Sequence, residues 1–164
     1  MRRGFRLLFL WLLFLIALVG CSNKNEIFKI FQKDRIYEKA LVFTKENQLI
    51  RSLETKATMA ATLLNEVFPK RFRYDKGISF FIGVISDIPL DLSKNITLNR
   101  KTPIDVESVE ENSTLYKIMP IVNRWSSYYI VTFPPVKDKT FTLELKVDPY
   151  GLIKLSFKRL TLRR

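Results

Sequence analysis

Histidine is absent from these 164 residues, and cysteine occurs once, at Cys21. Those two gaps exclude Cys/His dyads, Ser-His-Asp triads, zinc sites and disulfides, and with them most common catalytic kits. No Gly/Ser-rich linker, internal repeat or low-complexity stretch divides the chain. Acids are scarce beside bases, 16 against 28, for a formal charge of +12. Hydrophobic residues make up 47%, enough for a core, and the length suits one compact domain.

Met1 to Arg6 carries three arginines and no acid, and Leu7 to Gly20 is an unbroken apolar run. A spanning helix needs about 20 apolar residues to cross roughly 30 Å of hydrocarbon. This run stops short of that, before the polar Ser22, Asn23, Lys24 and Asn25. The layout is that of a secretory signal peptide over residues 1–20, whose loss removes three positive charges and leaves a mature chain that is still basic.

The run closes on Leu18-Val19-Gly20-Cys21. All four positions resemble the lipobox of bacterial lipoprotein precursors, with branched residues, then a small one, then the thiol. The resemblance implies cleavage between Gly20 and Cys21, a diacylglyceryl thioether on Cys21, and a new amine open to acylation by a fatty acid such as palmitate. The residue types fit that chemistry. A small Gly20 admits a peptidase to the scissile bond, and sulfur takes a lipid that serine would accept poorly. Each buried methylene contributes about 0.8 kcal/mol, and two or more acyl chains anchor stably where one is marginal. An uncleaved anchor helix is the competing reading; the charge bias, the small residue and the thiol together favour export. Ser22, rather than aspartate, follows the cysteine. By the same resemblance this implies the periplasmic face of the outer membrane in a Gram-negative cell, or the outer face of the single membrane in a Gram-positive one.

The expected organisation is therefore a leader over 1–20, a lipidated tether over 21–26, and a single β-rich domain over 27–164. Phe141, Leu143, Leu145 and Val147 alternate with polar residues, as do Ile153, Leu155 and Phe157. Asp148-Pro149-Tyr150-Gly151 between them predicts a turn with Pro149 in its second position, and hence a hairpin. Tyr128 to Phe133 reads as a strand stopped by Pro134-Pro135, and Ile78 to Ile85, apolar on both faces, reads as a central strand. Lys39 to Thr44 and Asn95 to Leu98 are shorter strand candidates, and Glu26 to Tyr37 a short helix candidate. Leu49 to Phe68 fits both periods; the need for early strands, and the threonines at 55, 58 and 62, favour strand over Thr55 to Leu64. Many short strands and few helices predict an antiparallel β-sandwich resembling immunoglobulin or fibronectin III domains in architecture only, since the Cys-Trp-Cys hallmarks are missing.

Lys70, Arg71, Arg73 and Lys76, interleaved with Phe72 and Tyr74, have the pattern that suits single-stranded nucleic acid. An exported lipoprotein rarely meets nucleic acid, so this expectation turns to anionic lipid or glycan, against the plainer reading of a solvated loop. Lys158, Arg159, Arg163 and Arg164 form a second basic cluster that reads equally as frayed terminal charge. Arg124, Trp125 and Tyr128 are of types enriched where partners bind. Tyr129 reads as core, and Trp125 fits either core or surface. Asn112, in Glu110-Glu111-Asn112-Ser113-Thr114, loosely resembles the extended acceptor sequence of bacterial N-glycosylation. Asp87, Asp91, Asp105, Glu107, Glu110 and Glu111 are the acids left for glycoside chemistry, but they sit among turn signals and read as solubilising.

The sequence thus predicts a lipid-anchored cell-envelope protein without catalytic activity, cofactor or metal. Its domain would bind an envelope protein or brace the membrane; the alternative is a binder or carrier of anionic lipid or glycan through the basic clusters.

Overall fold

A computed structural model describes residues 35–160. The leader, the lipobox with Cys21, the tether, most of the Glu26 to Tyr37 helix candidate, and Arg163 and Arg164 lie outside the described residues. The described chain is mainly β, with eight strands in two antiparallel sheets. These are β1 (Thr44–Arg51), β2 (Glu54–Leu63), β3 (Ile78–Ser86), β4 (Ile96–Leu98), β5 (Asp105–Ser108), β6 (Ser127–Phe133), β7 (Thr140–Val147) and β8 (Gly151–Lys158). The larger sheet has the order β1-β2-β3-β6-β5, and the smaller one β4-β7-β8. The helical segments among the described residues are α1 (35–42), α2 (Leu64–Val67), α3 (Leu92–Asn95) and α4 (Thr114–Ile118). No helix among the described residues is long and apolar enough to cross a membrane.

The two sheets share one core because their strands alternate in step. Met59 and Leu63 of β2, Phe80 and Ile82 of β3, and Val131 and Phe133 of β6 meet Leu143 and Leu145 of β7 and Leu155 and Phe157 of β8. The period-2 pattern aims every second side chain into this layer. The 141–147/153–157 hairpin forms as expected, but its turn is set one residue earlier. Tyr150 donates its N–H to the Val147 carbonyl at 2.7 Å, so Pro149, behind a cis bond, takes the third position.

β3 lies at the centre of its sheet and is buried on both faces because a second layer covers the side away from the smaller sheet. Phe81 points into that layer, against Ala40, Leu64, Val67, Leu115 and Tyr128. Lys39 to Val42, expected as the start of a strand, is helical for the same reason. Ile36, Ala40 and Phe43 recur at helical spacing and lay one stripe over this cluster. Leu41 and Val42 are left exposed.

Thr55 to Leu64 is strand up to Leu63, after which Leu64 opens α2. β1 and β5 had no counterpart in the sequence reading. Only Leu49 is buried in the first and no residue is fully buried in the second, so neither carries the alternation that marks a half-buried strand. Asp105 and Glu107, read as turn acids, lie on β5.

β1 and β2 are joined through Ser52 and Leu53, both with positive φ, at 51° and 66°. That suits the twist of a two-residue hairpin but strains a side chain as large as leucine. Leu53 is also 99% exposed, so it gains nothing from packing. Leu53→Gly is expected to stabilise the protein by about 0.5–1 kcal/mol, the relief of left-handed strain less the extra entropy of an unfolded glycine. A thermal melt reads this as a higher midpoint; an unchanged or lower one contradicts the strain argument.

Candidate functional site

The most sharply built surface feature is the segment that leads into β6. α4 is capped by Ser113, whose Oγ accepts the Tyr116 N–H at 3.0 Å. After α4 the chain crosses the outer face of the larger sheet and turns into β6 at Ser127. Tyr128 fastens this crossing. Its ring stacks on Phe81 with centroids 5.5 Å apart and meets Tyr116 edge-on at 5.1 Å. Its hydroxyl lies 3.0 Å from the carbonyl oxygens of both Ile121 and Asn123, and accepts the Asn123 N–H.

Gly83 makes room for that ring: a Cβ there would stand 2.7 Å from the Tyr128 Cε1. A glycine inside a strand here marks close approach of an aromatic ring to the sheet. Asn123 then closes the turn, its Oδ1 accepting the Trp125 N–H at 2.8 Å and the Ser126 hydroxyl at 3.1 Å.

Trp125 stands at the tip of this turn, 72% exposed, with the Arg124 guanidinium 4.7 Å from its ring centre. That decides the open question about Trp125 in favour of surface. Tyr128, grouped with it from the sequence, is instead a buried support of the turn, 5% exposed. Tyr129 is half-buried against the shared core. Three hollows adjoin the segment, one of them, of about 390 Å³, among Val109, Glu110, Tyr116 and Tyr128. A second, of about 260 Å³, is floored by Thr58, Ala60, Gly83 and Ile85 and walled by Ile121 and Ser126. The third, of about 490 Å³, lies among Val84, Asp87, Pro89, Leu90 and Tyr129. Trp125 itself lines none of these hollows, and an exposed indole on a hydrogen-bonded turn suits gripping a partner at low ordering cost.

The first basic cluster follows α2. Arg73 makes two hydrogen bonds to the Asp75 carboxylate, at 3.0 and 2.8 Å, and holds its pKa below the ordinary value. Arg71 lies over Phe72 at 5.2 Å, while Lys70 and Lys76 are exposed. Asn65, itself buried, holds the loop: its amide donates to the Gly77 carbonyl at 2.9 Å and its Oδ1 accepts the Ser79 N–H at 2.7 Å.

The structure brings the described part of the second basic cluster, Lys158 and Arg159, to the first. The Arg159 guanidinium sits 4.0 Å from the centre of the Tyr74 ring. The Tyr74 hydroxyl donates to Glu66 Oε1 at 2.6 Å, and the same oxygen accepts the Leu160 N–H at 3.0 Å. Burial first, and then the bond to Glu66, push the Tyr74 phenol well above its ordinary pKa, so it stays a neutral donor. Lys137 and Lys139, to which the sequence reading assigned no role, join this end because the Lys139 carbonyl accepts the Arg159 N–H at 2.8 Å.

The structure does not bring the Trp125 turn to the basic clusters. Ser127 pairs with Val84, whereas Phe133, at the other end of β6, pairs with Ile78. Asn112 is exposed, and its amide donates to Glu110 Oε2 at 3.2 Å. The six carboxylates weighed for glycoside chemistry are all exposed. Asp91 is engaged by Ser93 and Lys94, which lower its pKa, and Asp87 lies 3.9 Å from Lys56. Among the described residues no group of three Asp, Glu, His or Cys is placed to hold a metal ion.

Comparison with protein-family models, with curated proteins and with solved structures finds no match to this chain.

Proposed function

We propose that this chain is a lipid-anchored cell-envelope protein, held to its membrane through Cys21, whose two-sheet domain acts as a binding or structural module. Its anchor reading is supported by the four-residue lipobox Leu18-Val19-Gly20-Cys21 after a basic and apolar leader. Ser22 after the cysteine supports the periplasmic face of the outer membrane in a Gram-negative host. Tethering raises the effective concentration of a membrane partner without any new contact.

The observation that carries the binding role is Trp125, 72% exposed on a turn that Asn123 and Tyr128 hold by hydrogen bonds. Its partner is a protein of the same envelope. Arg124 over the indole adds a charged group to the same contact. In fold, the domain is immunoglobulin- or fibronectin III-like as a pair of packed antiparallel sheets. Its strand order is its own, since β1, β2 and β3 share one sheet where the immunoglobulin pattern changes sheet after the second strand.

Mass spectrometry of the protein from its native membrane is expected to find Cys21 as the first residue, carrying a diacylglyceryl group. An unmodified thiol, or a polypeptide that still begins at Met1, would overturn the anchor. Cross-linking in the same membrane is expected to join a neighbouring envelope protein to the segment around Trp125; joining elsewhere on the domain would remove the binding role from this turn.

A further inference from the structure

The charges of this domain are sorted along the strands. At the end where β2 and β6 stop and β3 and β7 begin, three segments distant in sequence are bonded together: the loop after α2, the loop before β7, and the chain leaving β8. Arg159 on the Tyr74 ring, Leu160 N–H on Glu66 and Arg159 N–H on Lys139 are the links. Among the described residues, Lys70, Arg71, Lys76, Lys137, Lys139 and Lys158 have no carboxylate within 4 Å. Three acids that share this end are engaged, Asp75 by Arg73, Glu66 by Tyr74 and Leu160, and Asp138 by the Asn99 amide at 3.1 Å, while Asp105, opposite Thr132, is exposed and leaves the cations in excess. At the other end most cations are paired with acids, Lys56 with Glu54 and Asp87, Lys94 with Asp91, and Lys146 with Asp148, while Arg51 donates to the Tyr150 carbonyl and Arg124 lies over Trp125.

The same end exposes apolar side chains. Leu160 is 54% exposed beside Glu66. Leu41 and Val42 are 51% and 74% exposed just before Phe43, whose carbonyl accepts the Leu63 N–H at the end of β2. Cations around a few exposed aliphatic residues fit a bilayer interface, where phosphates meet the charges and the aliphatic groups enter the headgroup boundary. A soluble glycan would use the charges and leave the aliphatic side chains in water.

We propose that this basic end is a membrane-contact face, docking on the anionic lipid headgroups of the bilayer that holds the anchor and turning the Trp125 turn outward. The proposal rests on the anchor reading for its orientation. Seven residues of β6 separate the two ends, so the Trp125 turn stands about 20 Å above the contact face. A partner would then meet the indole away from the lipid.

The test uses the intact lipidated protein in phosphatidylcholine vesicles, with and without phosphatidylglycerol, read by flotation and by deuterium exchange of segments 68–76, 137–139 and 158–160. Phosphatidylglycerol is expected to slow exchange in all three, and high salt to reverse this. Each cation near an anionic surface is worth roughly fivefold in the docked population. The exposed triple variant Lys70→Gln, Lys76→Gln and Lys139→Gln is expected to lower the docked-to-undocked ratio on the order of 100-fold, returning exchange to its phosphatidylcholine rate while the protein still floats. Flotation with both vesicles but equal exchange on both overturns the contact face and leaves the anchor standing. Failure to float with phosphatidylcholine overturns the anchor, while slowed exchange on phosphatidylglycerol vesicles would still support the face. Slowed exchange in inorganic phosphate without vesicles would mark a free-anion site and overturn the membrane assignment.

Discussion

Phe80→Ala is expected to destabilise the protein by about 3–5 kcal/mol, the range for removing a fully buried phenyl ring. Phe80 has no exposed surface, and its ring lies 5.0 Å from that of Phe157 and 6.1 Å from that of Phe133. It is therefore a tie between the central strand of one sheet and an outer strand of the other. Its loss removes apolar transfer energy and leaves a cavity that two sheets cannot close without shifting against each other. Against a typical stability of about 5–15 kcal/mol this is a large fraction. Urea unfolding should show a much lower midpoint with an unchanged slope. A loss below about 1 kcal/mol would contradict the shared core.

Trp125→Ala carries the second large effect, on binding and not on folding. The side chain is 72% exposed, so the melting midpoint should move within the small range of surface substitutions, about 0.5 kcal/mol. Affinity for the cross-linked envelope protein should fall at least about 30-fold, corresponding to a hot-spot loss of about 2 kcal/mol. Binding should also depend little on salt, because the contact is a packed ring. Retained affinity in the variant, together with a steep loss of binding as salt rises, would shift the partner contact to the basic end and remove the indole from it.

The strands that were legible in the sequence are those whose two faces differ, or which are apolar throughout. β7 and β8 alternate residue by residue, and the continuous apolar run of β3 announced a strand covered on both sides. β1 and β5 were not legible because an edge strand with solvent on its face has no burial to impose a pattern. Ile36, Ala40 and Phe43 mark α1 only once Phe81 and Leu64 are known to lie beneath them. Asn123 and Gly83, which build the Trp125 turn, are ordinary residues in sequence and become informative only beside the Tyr128 ring and hydroxyl.

What the sequence determined by itself was the inventory and the local pattern. Without histidine and with one thiol, whole classes of chemistry were closed, and period-2 alternation made the chain mainly β. Tertiary structure alone decided which distant residues became neighbours. It set Trp125 on the surface and Tyr128 beneath it, and it gathered the clusters at 70–76 and 158–159 around Tyr74 and Glu66. The reason is physical: alternation records which face of a strand is buried, whereas strand order and the loops it brings together arise from long-range packing, which leaves no periodic trace in the chain.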